Sequence, residues 1–471
     1  MTQRPLETDL EEKLRQLLAS DPDTEEVRSL IEEIHRQPLD MSLYLKLGDV
    51  LRDNLRIEEA LTEYRAAERL EPGDESPKLR LAELYYDLDM MKESLGHYKE
   101  AWDIIGPNLN HSRLLAMAGI LENDNPEEAM RGMFGRLLRN QDYDNNNLYH
   151  GLLRLDAEPG YAVHMLKRAA RDTAYCDAVR QNACYWTGIA RMRTNDAVSA
   201  TKSFMEALEL DGDDTDSLLG LASAVWISYS NEDGAEYYRQ AVAKRPFALR
   251  VHMRLAEAEK ALGNLEASLE GYKQALKLNP KSAAVHMALG LVYQGLCSTD
   301  MAVHHLNQAA SLDKDDSTPH YHLARILQGK SKFDEAEKEY RLAIEKDPEN
   351  PETFFQFGWL YNLRKDRQSA HDMFGKAAEL CPTMSRYTLQ FAKAQEGLGF
   401  KDGAKETYQK TVDANPLEPE VHFELGSFLE RVSDFDGATK AYKEAVMLDE
   451  MVKLEKSNKQ YAEALQKVLR R

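Results

Sequence analysis

Small and bulky side chains recur along this chain at a fixed interval of 34 residues. The longest series of small residues is Gly188, Ala222, Ala256, Gly290, Ala324, Gly358, Ala392 and Gly426. Gly48 and Ala82 are one step apart near the N-terminus. A second small residue follows 12 positions later and a bulky, usually aromatic one 16 positions later, as with Ala200 and Phe204 after Gly188. A fixed period of this length indicates stacked supersecondary units.

The order of residues within the period predicts two helices joined by a turn. Small residues let two helix backbones approach each other, and the neighbouring ring fills the space beside them. Turn residues such as Gly263 and Asn264 separate the two helical segments. A proline ends the second segment at Pro72, Pro246, Pro280, Pro348, Pro382 and Pro416. A single pair leaves an apolar face exposed, so we expect successive pairs to stack into a solenoid.

The succession of small, small, aromatic, small and proline positions resembles the tetratricopeptide repeat family, whose unit is a 34-residue helix-turn-helix. The resemblance implies an all-α fold, a right-handed superhelical α-solenoid of about twelve to thirteen helix-turn-helix repeats. In this frame, regular repeats begin at residues 41 and 75, and then at every 34th residue from 181 to 419. Positions within a repeat are counted from these starting residues.

The period divides the chain into five segments. We expect a divergent helical unit over residues 1–40, two regular repeats over 41–108, two irregular repeats over 109–180 and eight regular repeats over 181–452. The broken period of the irregular repeats predicts a bend or soft joint there. A last helix over 453–471, rich in Lys and Arg, is expected to cap the array, because the end of a solenoid needs a polar outer face. Its alternative role is a basic docking handle.

Composition and charge narrow the classes of partner. The chain has 471 residues, 43% of them hydrophobic, and a net charge of −20, from 60 Lys and Arg and 80 Asp and Glu. This charge disfavours nucleic acids and acidic membrane surfaces, which need clustered cations. Met1–Glu12 lacks the apolar core of a secretory signal, and the weakly polar run Leu218–Tyr229 is too short to span a bilayer. We therefore expect a cytoplasmic protein without direct membrane insertion.

The chain lacks the motifs of common catalytic and metal sites. It has no HExxH, GxSxG or GxxxxGK[ST] motif, so no catalytic residue, cofactor or metal site is assigned. Its cysteines, Cys176, Cys184, Cys297 and Cys381, show no CxxC spacing and are expected to be reduced thiols. Four histidines share the fourth repeat position: His252, His286, His320 and His422. We interpret them as packing residues, because successive repeats place them too far apart to share a metal.

The resemblance also indicates a binding surface. In this family the first helices line a concave groove, and positions 2, 5, 9 and 12 commonly point into it. The groove candidates are Ile189, Met192, Trp226, Leu291, Tyr321, Arg325, Phe355, Trp359 and Lys393. Arg325 and Lys393 are expected to neutralise an acidic residue of a ligand, whereas Asp49 and Glu83 make the N-terminal part of the surface acidic. The alternative is that the apolar candidates simply pack between helices.

The function implied by the resemblance is a non-enzymatic scaffold or adaptor. It would bind one or more partner proteins, as a peptide or helical segment, in the concave groove. The alternative is a structural subunit of a larger assembly, such as a secretion, pilus, envelope-assembly or cell-cycle complex, held by its convex face and ends.

Overall fold

A computed structural model describes residues 25–105, 147–155, 157–452 and 459–469 of the chain. These residues form 24 helices and contain no β-strand. The predicted all-α fold of stacked helix pairs is therefore confirmed. No described helix has the length and apolar character needed to traverse a lipid bilayer.

Fourteen helices begin in the first 285 residues. They are α1 Glu25–Arg36, α2 Met41–Asp53, α3 Ile57–Leu70, α4 Ser76–Asp87, α5 Met91–Ile105, α6 Asn147–Leu153, α7 Pro159–Arg171, α8 Asp177–Arg193, α9 Ala197–Leu210, α10 Thr215–Ser228, α11 Asn231–Lys244, α12 Leu249–Ala261, α13 Leu265–Leu278 and α14 Ala283–Gly295.

Ten helices follow. They are α15 Thr299–Leu312, α16 Thr318–Gly329, α17 Phe333–Lys346, α18 Pro351–Leu363, α19 Arg367–Leu380, α20 Ser385–Gly397, α21 Lys401–Ala414, α22 Pro419–Arg431, α23 Phe435–Val452 and α24 Lys459–Leu469.

The chain divides into two compact units at a point within α14. Unit 1 extends to Val285 and unit 2 begins at His286. Most of the irregular segment 109–180, and with it the expected soft joint, lies outside the described residues. Its described part contains α6 and α7, where Gly151 lies against the Leu166 side chain. This is the same pairing of a small and a bulky residue as in the regular repeats.

Several helix pairs are held by a bulky side chain of the second helix that is seated on a glycine of the first helix. A Cβ atom at Gly358 would lie 2.6 Å from Cε1 of Phe374, and one at Gly188 would lie 2.6 Å from Cε1 of Phe204. Both rings are buried. The predicted contact between small and bulky positions is therefore confirmed, and it sets the close approach of the two helices.

The turn between the two helices has the same backbone conformation in nine of the ten regular repeats; in the repeat that begins at residue 215, Tyr229 has a φ of −126° instead. Position 15 of the repeat has a positive φ at Leu55, Asp89, Asn195, Gly263, Cys297, Ser331, Lys365, Gly399 and Ser433. At Lys365 the N–H donates to the Asn362 carbonyl, and the next N–H, of Asp366, donates to the Tyr361 carbonyl. This is the Schellman arrangement, which caps the carbonyl groups at the end of a helix.

The helix α24 packs on the last regular repeat. The Tyr461 ring lies 4.8 Å from that of Phe423, and Val468 is buried in the same apolar cluster. Lys467 Nζ forms a 3.0 Å ion pair with Glu430. The contacts are those expected of a cap. Residues 453–458 and 470–471 of the predicted capping segment lie outside the described residues.

We expect Gly358→Ala to lower the free energy of unfolding of unit 2 by about 1–3 kcal/mol, because the added methyl group overlaps the buried Phe374 ring. Gly329→Ala is the matched control, because a Cβ atom there meets no neighbour within 4 Å. Urea unfolding of both variants measures the difference. Equal stabilities of the two variants would show that the close contact does not constrain the helix pair.

A glycine at position 15 should have the opposite effect. We expect Lys365→Gly to stabilise unit 2 by about 0.5–1 kcal/mol, because it relieves the strain of a side chain at φ 62°. Lys338→Gly, at an exposed position inside α17, should destabilise it by about 1 kcal/mol. Changes of the same sign in thermal unfolding would contradict the conformational argument.

Candidate functional site

Five of the predicted groove residues lie on consecutive first helices of unit 2. Tyr321 and Arg325 are on α16, Phe355 and Trp359 are on α18, and Lys393 is on α20. We call these five residues the α16–α20 face. Each stands at position 5 or 9 of its repeat.

Trp359 is the exposed aromatic residue of this face. Its side chain is 37% exposed, whereas Phe355 is 8% exposed. The indole contacts the edges of two rings, with its centroid 6.3 Å from Phe355 and 5.8 Å from Phe374. One side of the indole is thus held by packing and the other side is accessible. Phe355 supports Trp359 instead of presenting a contact surface itself.

The two cations of this face differ in whether a carboxylate of the protein already pairs with them. Arg325 forms no ion pair with a carboxylate of the described residues, and its guanidinium carbon lies 5.7 Å from the Tyr321 ring. Lys393 Nζ is 2.8 Å from Glu424 Oε1. The structure therefore leaves Arg325 accessible to a ligand, whereas Lys393 already has an acidic partner.

A further cation near this face, Arg386 on α20, was not among the residues predicted from the sequence. Arg386, at position 2 of its repeat, pairs with Glu352, and its guanidinium carbon lies 5.3 Å from the Phe355 ring. The Tyr387 hydroxyl also donates to Glu352, at 2.9 Å. Position 2 carries several residue types in this chain, so the period alone does not single out Arg386.

The remaining candidates are half-buried. In unit 1, Ile189 and Met192 pack against the apolar core around α8, and Trp226 packs against a cluster that contains Tyr238 and Ala258. In unit 2, Leu291 is also half-buried. These contacts support the packing alternative for the residues of unit 1.

The acidic residues expected on the N-terminal surface are engaged by neighbouring side chains. Asp49 accepts a 2.6 Å hydrogen bond from the Tyr64 hydroxyl and pairs with Arg52 and Arg80 at 3.3 and 3.2 Å. Glu83 lies 3.7 Å from Arg80. Burial, followed by the bond and charge of Asp49, raises the pKa of Tyr64 well above its ordinary value. The negative charge of this surface is thus largely compensated.

The N-terminal repeats are also covered by a later segment of unit 1. Phe247 is 7% exposed and belongs to the apolar cluster of α1 to α4, with the Arg52 guanidinium carbon 4.8 Å from its ring. Arg245 lies 3.4 Å from the buried Asp87. The guanidinium carbon of Arg250 lies 3.8 Å from the Tyr86 ring. We call these contacts the Phe247 junction.

Within the described residues, one group of side chains has the spacing of a metal site. Ligand atoms of Glu68, His97 and Glu100 lie within 4.8 Å of one another. Lys78 Nζ is bonded to both carboxylates, at 2.7 and 3.2 Å. Burial lowers the pKa of Lys78, but these two bonds outweigh it and leave the pKa raised. The ammonium group therefore supplies the cation of this cluster.

The fourth-position histidines have local partners. His252 Nε2 donates to the Pro246 carbonyl at 2.8 Å, and His422 Nε2 donates to the Pro416 carbonyl at 2.9 Å. Tyr44, at the same repeat position, donates to the Pro38 carbonyl. The side chain at this position thus fastens a first helix to the turn before it, in agreement with the packing interpretation.

His286 has a second histidine beside it. Its Nδ1 lies 3.0 Å from Nδ1 of His305, and both residues are buried. One ring donates and the other accepts, so the bond holds when at least one of them is neutral. Burial, and then the charges of His286 and His304, lower the pKa of His305 to about 4.

Sequence profiles of known families match three parts of the chain. One described as a TPR repeat matches residues 256–296, and two described as tetratricopeptide repeats match residues 318–350 and 389–450. No curated protein matches the chain.

Several solved structures are similar to this chain. Yeast Tom70 is 17% identical with a TM-score of 0.43, and the alignment covers 86% of this chain and 91% of that chain. Pseudomonas aeruginosa pilF is 19% identical with a TM-score of 0.39, over 46% of this chain and 97% of that one. The protein YrrB is 20% identical with a TM-score of 0.32, over 39% and 94%.

We expect the His305 pair to make unit 2 sensitive to acid. The pKa of His305 is lower in the folded protein than the ordinary value of 6.5, so the unfolded chain binds more protons between the two values. Folding stability therefore falls as pH falls, by about 2 kcal/mol from this group between pH 7 and pH 5.

Urea unfolding at the two pH values measures this loss. His305→Gln should remove it, whereas His164→Gln, at an exposed position on α7, should leave it unchanged. If His305→Gln loses as much stability on acidification as the wild type, the buried pair is not the acid-sensitive element.

Proposed function

This chain is a tetratricopeptide repeat protein, one of a class of protein–protein interaction scaffolds, and from that premise we propose that unit 2 binds a segment of a partner protein on its α16–α20 face. The protein acts as a non-enzymatic adaptor in this proposal. The partner segment is extended or helical.

The accessible indole of Trp359 is the observation that carries this proposal. An exposed tryptophan whose position is fixed by neighbouring rings loses little conformational freedom on binding, and such residues dominate the free energy of many interfaces. Phe355 and Phe374 fix this indole from one side. The free side is available to an apolar residue of the partner.

The charge of the face favours an acidic residue beside that apolar residue. Arg325 is exposed and without a carboxylate partner among the described residues, about one turn before the end of α16. Lys393 is half-buried and paired with Glu424, so it would bind a carboxylate of the partner only in exchange for Glu424. In a chain of net charge −20, the cations of this face attract an acidic partner segment.

We place the adaptor in the cytoplasm as part of this proposal. Cys184, Cys297 and Cys381 are free thiols, and Cys297 is exposed, which suits a reducing compartment. The alternative, a subunit held by its second helices, would use exposed apolar residues such as Leu342 on α17.

The proposal is tested by photo-crosslinking in cells. A photoreactive phenylalanine placed at position 359 should give a discrete adduct with a partner protein. The same group placed at position 342 is the matched control, because Trp359 and Leu342 are equally exposed, at 37% each, on first and second helices.

Substitution gives an independent measurement. Trp359→Ala combined with Leu291→Ala should reduce the affinity for the crosslinked partner at least about tenfold, the loss typical of a central aromatic contact. Leu342→Ala should leave the affinity unchanged. Adducts from position 342 alone, with full affinity in the folded double variant, would favour the second-helix alternative.

A further inference from the structure

Three consecutive helices of unit 1 enclose a cleft lined by basic side chains. The cleft has a volume of about 380 Å³ and lies between the second helix α7, the first helix α8 and the second helix α9. Its basic residues are Lys167, Arg171, Arg180, Arg191 and Lys202. The volume is within the range of small-ligand sites.

Ion pairs balance the positive charge of the cleft only at Arg180, which pairs with Asp177 at 2.9 Å, as far as the described residues show. Among the described residues, Lys167, Arg171 and Lys202 form no ion pair. The carboxylates that line the same cleft, Glu206 and Glu209, are exposed and form none with these cations. Five cations against these two carboxylates and Asp177, the partner of Arg180, still give a local positive excess in a chain whose net charge is −20.

Two of the arginines are oriented by neutral groups, and Arg180 also pairs with the exposed Asp177 at 2.9 Å. Arg191 is buried and donates to the Ser203 hydroxyl at 2.7 Å and to the Ser199 carbonyl at 2.5 Å. Arg180 Nε donates to the Ala170 carbonyl at 3.2 Å. Hydroxyl and carbonyl groups orient a guanidinium without cancelling its charge. The arginines are therefore positioned before any ligand arrives.

Like charges crowd the Lys167 ammonium group. The Arg191 charge, then burial and the charge of Arg171, lower the pKa of the Lys167 ammonium. Burial raises the pKa of the neighbouring Cys184 to about 11, so its thiol is neutral and contributes no opposing charge. An anion in the cleft would relieve this repulsion.

Stacking of repeats alone does not produce such a cleft. The equivalent space of unit 2, between α19, α20 and α21, measures about 800 Å³ and contains Phe391 where unit 1 has Thr187. Its lysines, Lys376 and Lys410, are paired with Glu379 and Glu406 at 2.8 Å each. The basic cleft is thus a local property of the residues around α8.

We propose that the cleft between α7, α8 and α9 is a binding site for a phosphoryl group. Fixed guanidinium groups match the oxygen geometry of a phosphate, and flexible lysines complete its charge neutralisation. The entrance of the cleft is surrounded by Lys167, Arg171 and Lys202, whose charges are available to a ligand. Arg191 lies at the buried end of the cleft. The same chemistry accepts a free phosphate compound or a phosphorylated residue of a partner protein.

Isothermal titration calorimetry on the full chain tests this site. Inorganic phosphate, pyrophosphate and a phosphoserine tripeptide are the probes, each at constant ionic strength. We expect saturable binding of at least one probe with a Kd below about 1 mM. Tighter binding of the tripeptide than of both inorganic probes identifies a phosphorylated partner as the source, and the reverse order identifies a free phosphate compound.

The variant Lys167→Gln/Lys202→Gln separates binding from folding. It should weaken binding at least about tenfold, while its unliganded melting temperature should equal or exceed that of the wild type, because like charges have been removed. Lys376→Gln/Lys410→Gln, in the equivalent space of unit 2, should leave binding unchanged. The proposal is overturned by absence of saturable binding up to about 10 mM of every probe, or by equal binding in both double variants.

Discussion

The contact between a bulky side chain on the second helix, usually a ring, and a glycine or alanine on the first helix constrains the regular repeats. At Gly358 and Gly188 the backbone itself is the surface on which the ring lies. Because this contact sets the distance between the helices, the two positions involved cannot vary independently. Other positions of the repeat are released from that constraint. They can carry aromatic, acidic or basic side chains without altering the stack, and the surfaces described above are built from them.

The sequence predicted the elements well because their periodicity is set by this contact. Helices, turns and the packing of the small and bulky positions all follow from it. The left-handed residue of the turn was identified from sequence only where it is glycine, as at Gly263 and Gly399. At Lys365 the same conformation is imposed by two hydrogen bonds from the turn to the end of α18. The fold there overrides the conformational preference of the residue, so the residue type at this position does not predict the left-handed conformation.

Predicting the surfaces was harder, since the period identifies a position but not its exposure. Phe355 and Trp359 occupy one stripe of α18, yet the first is buried by Phe374 and Tyr387 and the second is accessible. The basic cleft was missed because its residues come from three helices, beginning in the irregular segment where repeat positions cannot be counted. The partners of Lys393 and Arg386 lie 31 and 34 residues away. Such cross-repeat pairs require the stack before they can be recognised.

The Phe247 junction has a consequence for the order in which the protein is made. An ordinary repeat array has contacts between neighbours alone, so each repeat can fold as soon as the next one is available. Here Tyr86 bonds to Asp216 across 130 residues, and the Leu88 carbonyl accepts from Asn279 across 191. At a synthesis rate of about 5–20 residues per second, the ribosome needs roughly 10 to 40 s to supply Asn279 after Leu88. During that interval chaperones can bind the apolar surface that Phe247 later covers. Unit 1 reaches its final form only after Asn279 has been synthesised.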